Sequence, residues 1–298
     1  MTNLHNKVIV ITGPTGVGKT DISLEIAKKY NGEIINCDAS QFKRDLNIGT
    51  AKTVYHNSEI KHHLFDIIDA TSNYSIASFQ KVARAIIDDC FERNVTPILV
   101  GGSGLYINSV IYDYDLTSSE RMNEDLYNDY DNEELYNLLL NLDPDTNIEK
   151  NNRRRVIRAI ELANNGKKIS ENKTKEFYYD TIGILLDCNR DILYERINDR
   201  VIEMINNGLV DECKGLINKN IDVKKIEDIG YKEIFAYLDG EITINEAIEE
   251  IQKKTRHFAK RQMTWFRNKM DLKQFIVNYD NYQETIADIC NYIDSMNR

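Results

Sequence analysis

The 298 residues make roughly one large or two modest domains, and 38 basic against 48 acidic side chains leave a net charge of −10 with 42% hydrophobic positions. No apolar run reaches the ~18–20 residues of a bilayer-spanning helix, and steady apolar periodicity with 17 Tyr, 9 Phe and 1 Trp excludes a disordered chain. Five scattered cysteines (37, 90, 188, 213 and 290) without a C-x-x-C pair give neither a zinc framework nor a disulfide set, and fit a reducing cytoplasm.

The apolar start of MTNLHNKVIVITGPTG is cut short by Gly13 and Pro14 and has no signal-type cleavage site, so Lys7–Thr12 reads as the first strand of a folded domain. A helical pattern follows through Lys28, and Glu33–Asp38 is a second strand. Over 75–93, Ile76, Phe79, Val82, Ala83, Ile86 and Ile87 recur at helical spacing, and the buried-type strand Pro97–Val100 then runs into Gly101-Gly102. From 114 to 180 the texture turns acidic, Asn-rich and helical, with Leu135, Leu138, Leu139 and Leu142 on one stripe. Thr181–Asp187 returns to the sheet, and the rest is helical. This alternation predicts an α/β fold: a P-loop NTPase-like parallel sheet core over 1–113 and 181–298 with a helical C-terminal part, carrying a helical insertion over 114–180.

Charge is unevenly placed. Residues 113–149 hold 12 acidic side chains against the single base Arg121, whereas 150–175 hold nine Lys or Arg against Glu161 and Glu171. The run 253–269 has Lys253, Lys254, Arg256, Lys260, Arg261, Arg267 and Lys269 without an acid. Two basic segments on an acidic chain are what local polyanion binding needs, although solvated helix faces would look the same.

Gly13-Pro14-Thr15-Gly16-Val17-Gly18-Lys19-Thr20 fits G-x-x-x-x-G-K-[ST] between a strand and a helix, the context that motif requires. Its glycines let backbone N–H groups curl around an anion at a helix amino terminus. Lys19 adds a charge for the terminal phosphate, and the Thr20 hydroxyl can hold Mg²⁺. The strand Ile98–Val100 ends in Gly-Gly instead of the acid of a standard ATPase, while the second strand ends in Asp38. Carboxyl ends of parallel strands face the ligand crevice, which places Asp38 near the phosphates as base or metal ligand; a plain turn or helix-cap aspartate is the alternative. Adjacent His62 and His63 on one extended segment point to opposite faces with no third ligand near in sequence, which argues against a metal there.

In order along the chain, GPTGVGKT, Asp38-Ala39-Ser40-Gln41, IGTAK (48–52), HHLFD (62–66), YS-x-x-x-F (74–79), GGSGLY (101–106), NNRRRVIRAIE (151–161), RINDRVIEMINNGL (196–209), IGYKE (229–233) and KRQMTWFR (260–267) resemble the tRNA dimethylallyltransferases of bacterial type. That resemblance implies transfer of a dimethylallyl group from dimethylallyl diphosphate to N6 of adenosine 37, beside the anticodon of tRNA. The phosphate loop would grip the diphosphate and the insertion would touch the anticodon stem-loop. A monomeric cytoplasmic enzyme using Mg²⁺ is expected, with ATP binding by the loop left open.

By the same resemblance Asp38 takes the N6 proton, and Lys19, Thr20 with Mg²⁺ and Arg200 neutralise the leaving group. Ile197, Val201, Met204 and Ile205 form one face of the Arg200 helix, leaving Arg196 and Arg200 on another, where a surface ion pair with Glu195 or Glu203 competes, more so for Arg196. Asp38, Ala39, Ser40 and Gln41 would read the target base, with Ser103 and Gly104 lining the channel. The segment Arg154, Arg155, Val156, Ile157 and Arg158 would meet tRNA, its three arginines forming a stripe away from the Val156 and Ile157 side. Arg261 and Gln262 would face RNA, and Trp265 the core. Departures from the family pattern are Ala39 for Ser, Lys43 for Tyr, Asn152 for Asp, and Asp228 for a small apolar residue. Rivals are an adenylate isopentenyltransferase, a P-loop small-molecule kinase and an inactive RNA-binding protein.

Overall fold

A computed structural model describes residue 4 and residues 6–52, 58–113, 124–170 and 176–297. Arg121, Glu171, Lys173 and Lys175 of the charge runs lie outside them. The β-branched runs form six parallel strands: β1 (Lys7–Thr12), β2 (Gly32–Asn36), β3 (His62–His63), β4 (Thr96–Gly101), β5 (Asp180–Asp187) and β6 (Lys273–Ile276), in spatial order β3-β2-β4-β1-β5-β6. Registers such as Ile9 to Ile98, Ile35 to Leu99 and Ile11 to Ile184 place the strand ends level. The inner strands β1, β2 and β4 are buried on both faces, as parallel sheets require, while the edge strand β6 is largely exposed. On one face Ile9, Ile11, Ile34, Ile98 and Ile184 pack with Ile22 and Ile26 of α1 (Lys19–Lys29) and with Ile289 and Ile293 of α10 (Tyr282–Met296).

The other helices of this unit are α2 (Ile76–Glu92), α3 (Gly104–Ile111), α6 (Arg190–Asn206), α7 (Leu209–Asn218), α8 (Tyr231–Leu238) and α9 (Ile244–Lys269). A second core gathers Val201 of α6, Leu209 and Cys213 of α7, Tyr231 and Ile234 of α8, and Ala247 and Ile251 of α9. The 26-residue α9 starts on a capping box, Thr243 accepting from Glu246 N–H while Glu246 accepts from Thr243 N–H.

Residues Tyr112–Glu176 form a separate compact unit, where the sequence reading set 114–180. The chain rejoins the core earlier because Tyr178 N–H donates to Ile111 O and β5 already pairs with β1 at Asp180. Within this unit α4 (Asn132–Leu142) packs on α5 (Arg153–Asn164) through Leu135, Leu139, Val156 and Ile160.

Candidate active site

The phosphate loop leaves β1 at Gly13 and enters α1 at Lys19. Gly18 caps α1 with φ 94°, and a Cβ there would meet the Tyr282 hydroxyl at 1.7 Å, so only glycine fits. Lys19 Nζ donates to Gly13 O at 2.9 Å and Pro14 O at 2.8 Å. Burial pushes its ammonium down to about 8, against the pull of Asp38 and with the push of Arg200. Gly16, Gly18, Lys19 and Thr20 line a cavity of about 750 Å³ together with Asp38 and Arg200. The loop's amides are not all turned to a ligand, as the sequence reading had it: Thr15 N–H donates to Gln262 Oε1 at 2.9 Å and Val17 N–H to Pro14 O at 3.4 Å. The Val17 side chain is core.

Asp38 reaches the loop although β4 lies between β1 and β2, an order the local pattern could not reveal. The crossing depends on Gly101 at the end of β4, where a Cβ would stand 2.3 Å from the Cys37 carbonyl. Cys37 N–H donates to Val100 O at 2.7 Å and Ser103 N–H to Cys37 O at 3.1 Å, which fixes the approach. Asn36 accepts from Asp38 N–H at 2.9 Å and donates to Leu64 O at 3.0 Å. Asp38 Oδ1 accepts from Ser40 N–H at 3.1 Å, capping the one-turn 3-10 helix Ala39–Phe42. It is thus a cap and a cavity group at once. Burial pushes its carboxyl above the ordinary aspartate value, opposed by Lys19, the Ser40 N–H and Arg200 and reinforced by Asp228.

Arg200 and Arg261 line a second cavity of about 390 Å³ that also contains Asp38 and Ser40. Arg196 does not make the surface ion pair that the sequence left open as its alternative: its Nε donates to Gly16 O at 3.0 Å, and its guanidinium lies 4.1 Å from the Tyr279 ring centroid. Asp228 and Lys43, two of the departures, meet in this cavity wall. Lys43 Nζ and Ser40 Oγ each donate to one Asp228 oxygen at 2.6 Å, with the Lys43 and Asp228 side chains 11% and 10% exposed. Opposite charges at two departing positions were the available signal. Another unread group is Lys52, whose buried ammonium donates to Asp66 and to Lys43 O.

Several expected RNA contacts sit elsewhere. Gln262 is 5% exposed and spans inward from α9, its Nε2 donating to Gly102 O at 3.0 Å while Oε1 holds Thr15. Gln41 donates to Thr50 O at 2.8 Å, although it does line the larger cavity. Ser103 accepts from Ala39 N–H at 3.3 Å and Gly104 packs under the half-buried Trp265 ring; neither lines either cavity, whereas Gly101 lines the larger one. Arg267 donates to Asp187 at 2.7 Å, tying α9 to β5.

In the smaller unit Val156 and Ile157 are buried core, not RNA surface. Arg154 and Arg155 are exposed, Arg158 donates to Glu161 at 2.9 Å, and Asn152 caps α5 by accepting from Arg155 N–H. His63 lies 2.7 Å from Glu33 with Cys90 beside them, a group that distance in sequence concealed. Both Glu33 oxygens accept from Arg93, at 2.6 and 2.8 Å, which opposes metal ligation there.

The larger cavity offers the Thr20 hydroxyl as a hard oxygen donor for Mg²⁺, and Asp21, Asp38, Asp199 and Glu203 also line it without drawing together into a cluster of three carboxylates. A phosphate loop, a half-buried carboxylate and two arginines around one space suit displacement of a diphosphate by a proton-losing nucleophile.

Residues 41–269 match the family model described as IPP transferase, and 6–72 match that of isopentenyl transferase. A tRNA dimethylallyltransferase of Anoxybacillus flavithermus is 44% identical, covering 98% of this chain and 97% of its own. The crystal structure of a full-length tRNA isopentenylpyrophosphate transferase from Bacillus halodurans superposes with TM-score 0.72 at 40% identity, over 98% of both chains. A eukaryotic dimethylallyltransferase acting on tRNA superposes with TM-score 0.84 at 29% identity, over 96% of this chain and 77% of its own. With the motifs in one order, the sheet and the cavity all agreeing, the chain belongs to the IPP transferase family.

Proposed function

We propose that this chain transfers a dimethylallyl group from dimethylallyl diphosphate to N6 of adenosine 37 in tRNA. The observation that carries the reading is the meeting of Asp38 with Lys19, Thr20 and Arg200 around one cavity in a chain of this family. The amine's lone pair attacks the allylic carbon and forms the C–N bond, while the C–O bond breaks and diphosphate leaves with its electron pair. Adenine's exocyclic amine is weakly nucleophilic, so removal of its proton by Asp38 as the bond forms contributes on the order of 10²–10⁴-fold. A carboxyl held above its usual value by burial is a better base for this purpose than an exposed one.

Lys19 and Arg200 supply positive charge to the leaving oxygens, and the amino end of α1 adds its dipole. Mg²⁺ held at the Thr20 hydroxyl would supply further charge neutralisation. The target base must leave its stack to reach Asp38. Exposed Arg154 and Arg155 are suited to phosphates of the anticodon stem-loop.

Purified protein with Mg²⁺, dimethylallyl diphosphate and unmodified tRNA, with AMP as a parallel acceptor, tests the reading. One C₅H₈ unit on adenosine recovered from tRNA is expected. Transfer to AMP alone would give the chain an adenylate-directed role, and ATP consumption without transfer would restore the kinase.

A further inference from the structure

Arg196, from the wall of the larger cavity, and Tyr279 and Tyr282 hold three consecutive loop residues. Arg196 Nε donates to Gly16 O at 3.0 Å, and the guanidinium lies on the Tyr279 face at 4.1 Å. Tyr279 Oη donates to Val17 O at 3.3 Å, and the Tyr282 hydroxyl fills the space a Gly18 side chain would take. Beneath them Ile197 and Leu193, from the same turns of α6, pack on Gly16. Gly16 and Gly18 both have positive φ, at 83° and 94°, so the loop's own sequence gives it little stiffness.

We infer that Arg196, Tyr279 and Tyr282 are positioning residues, a strap that sets the curl of the phosphate loop before the diphosphate arrives; this rests on the donor reading above. In a trans peptide C=O and the next N–H point opposite ways. Holding Val17 O on Tyr279 therefore turns the Gly18 N–H away from that ring, and holding Gly16 O on Arg196 turns the Val17 N–H of the preceding peptide inward, where it closes the loop on Pro14 O. An anion then meets amides already arranged, and ordering the loop no longer opposes binding. Arginine suits this task and lysine does not: the contact needs a planar group that stacks on a ring while one in-plane N–H reaches a carbonyl.

The test titrates inorganic pyrophosphate with Mg²⁺ into wild type, Arg196→Gln, Arg196→Lys, Tyr279→Leu and Tyr279→Phe, and measures KM for dimethylallyl diphosphate and for tRNA. Arg196→Gln, Arg196→Lys and Tyr279→Leu should each weaken pyrophosphate about tenfold and raise the donor KM alike. The tRNA KM should stay within about twofold and kcat at saturating donor should fall less than donor affinity. Tyr279→Phe, which keeps the ring, should lose about two- to threefold. Combining Arg196→Gln with Tyr279→Leu should add little to either single change, because both release one strap. Wild-type affinity in Arg196→Lys would make Arg196 a bare charge, and unchanged pyrophosphate binding with a lower kcat would make the contact ordinary packing; either overturns the strap. Failure of the wild type to bind pyrophosphate would instead overturn the donor reading and the strap with it. Should Arg196→Gln not fold, the Tyr279 pair carries the comparison.

Discussion

Replacing Gln262 separates two accounts of α9, one in which its amide reads RNA and one in which it staples two loops. Gln262 is buried, with Oε1 on Thr15 N–H at 2.9 Å and Nε2 on Gly102 O at 3.0 Å. Each hydrogen bond contributes about 0.5–1.5 kcal/mol net, and each buried partner left unpaired costs about 1–3 kcal/mol. These are two views of one loss, so Gln262→Ala should cost about 2–4 kcal/mol, including some cavity. Gln262→Glu keeps an acceptor for Thr15 but sets a carboxylate oxygen against Gly102 O, so it should be no milder. Gln262→Met refills the volume without restoring the bonds and should recover only the cavity part. Urea unfolding at constant m gives the stability change, and pyrophosphate titration should show about tenfold weaker binding as Thr15 is released. Filter binding to tRNA at several salt concentrations should be unchanged. A stability loss under about 0.5 kcal/mol with weaker tRNA binding would refute the staple, since the group would then be spending its bonds on RNA.

Three other substitutions probe separate parts of the molecule. Asp38→Asn should lower turnover by about 10²–10⁴-fold with tRNA affinity nearly intact, measured by single-turnover transfer; near-normal turnover would remove it as the base. Arg154→Ala with Arg155→Ala should weaken tRNA binding and reduce the log–log salt slope by about 1–2, whereas Arg158, committed to Glu161, should contribute less. Burial would raise the Glu33 carboxyl, but Arg93 and His63 hold it down at about 2. Its stabilisation is therefore present above the unfolded value near 4.5 and is lost as pH falls toward 2. Arg93→Met should remove up to roughly 3 kcal/mol of stability at neutral pH and flatten that acid limb in denaturation curves.

What the sequence made legible is what short stretches of chain determine. A strand, eight residues of loop and a helix specify Gly13–Thr20 almost without reference to the rest, and the acid closing the next strand marked Asp38. Strand order is different, since no local pattern says that β4 inserts between β1 and β2; only the space denied to a Gly101 side chain shows how Asp38 crosses. Helical periodicity placed Arg196 off the apolar face but could not say that a loop carbonyl and an aromatic ring waited there. It likewise gave α9 a basic side without telling which polar residue turned inward, and Gln262 turned. Lys43 and Asp228 were each visible as departures, yet 185 positions separate them, and their pairing exists only once the 3-10 turn meets the segment before α8.

The dependence of the loop on Arg196, Gln262, Tyr279 and Tyr282 bears on the order of synthesis. The phosphate motif, complete by Thr20, precedes all four of these groups in the chain. Its strand β1 finds one neighbour only when β5 emerges, and the groups that fix its curl follow the loop residues they hold by 180 positions or more. A nascent chain thus carries an intact motif without a formed binding loop until those residues have emerged. Competence for the donor waits until the segment carrying Tyr279 and Tyr282 has been made.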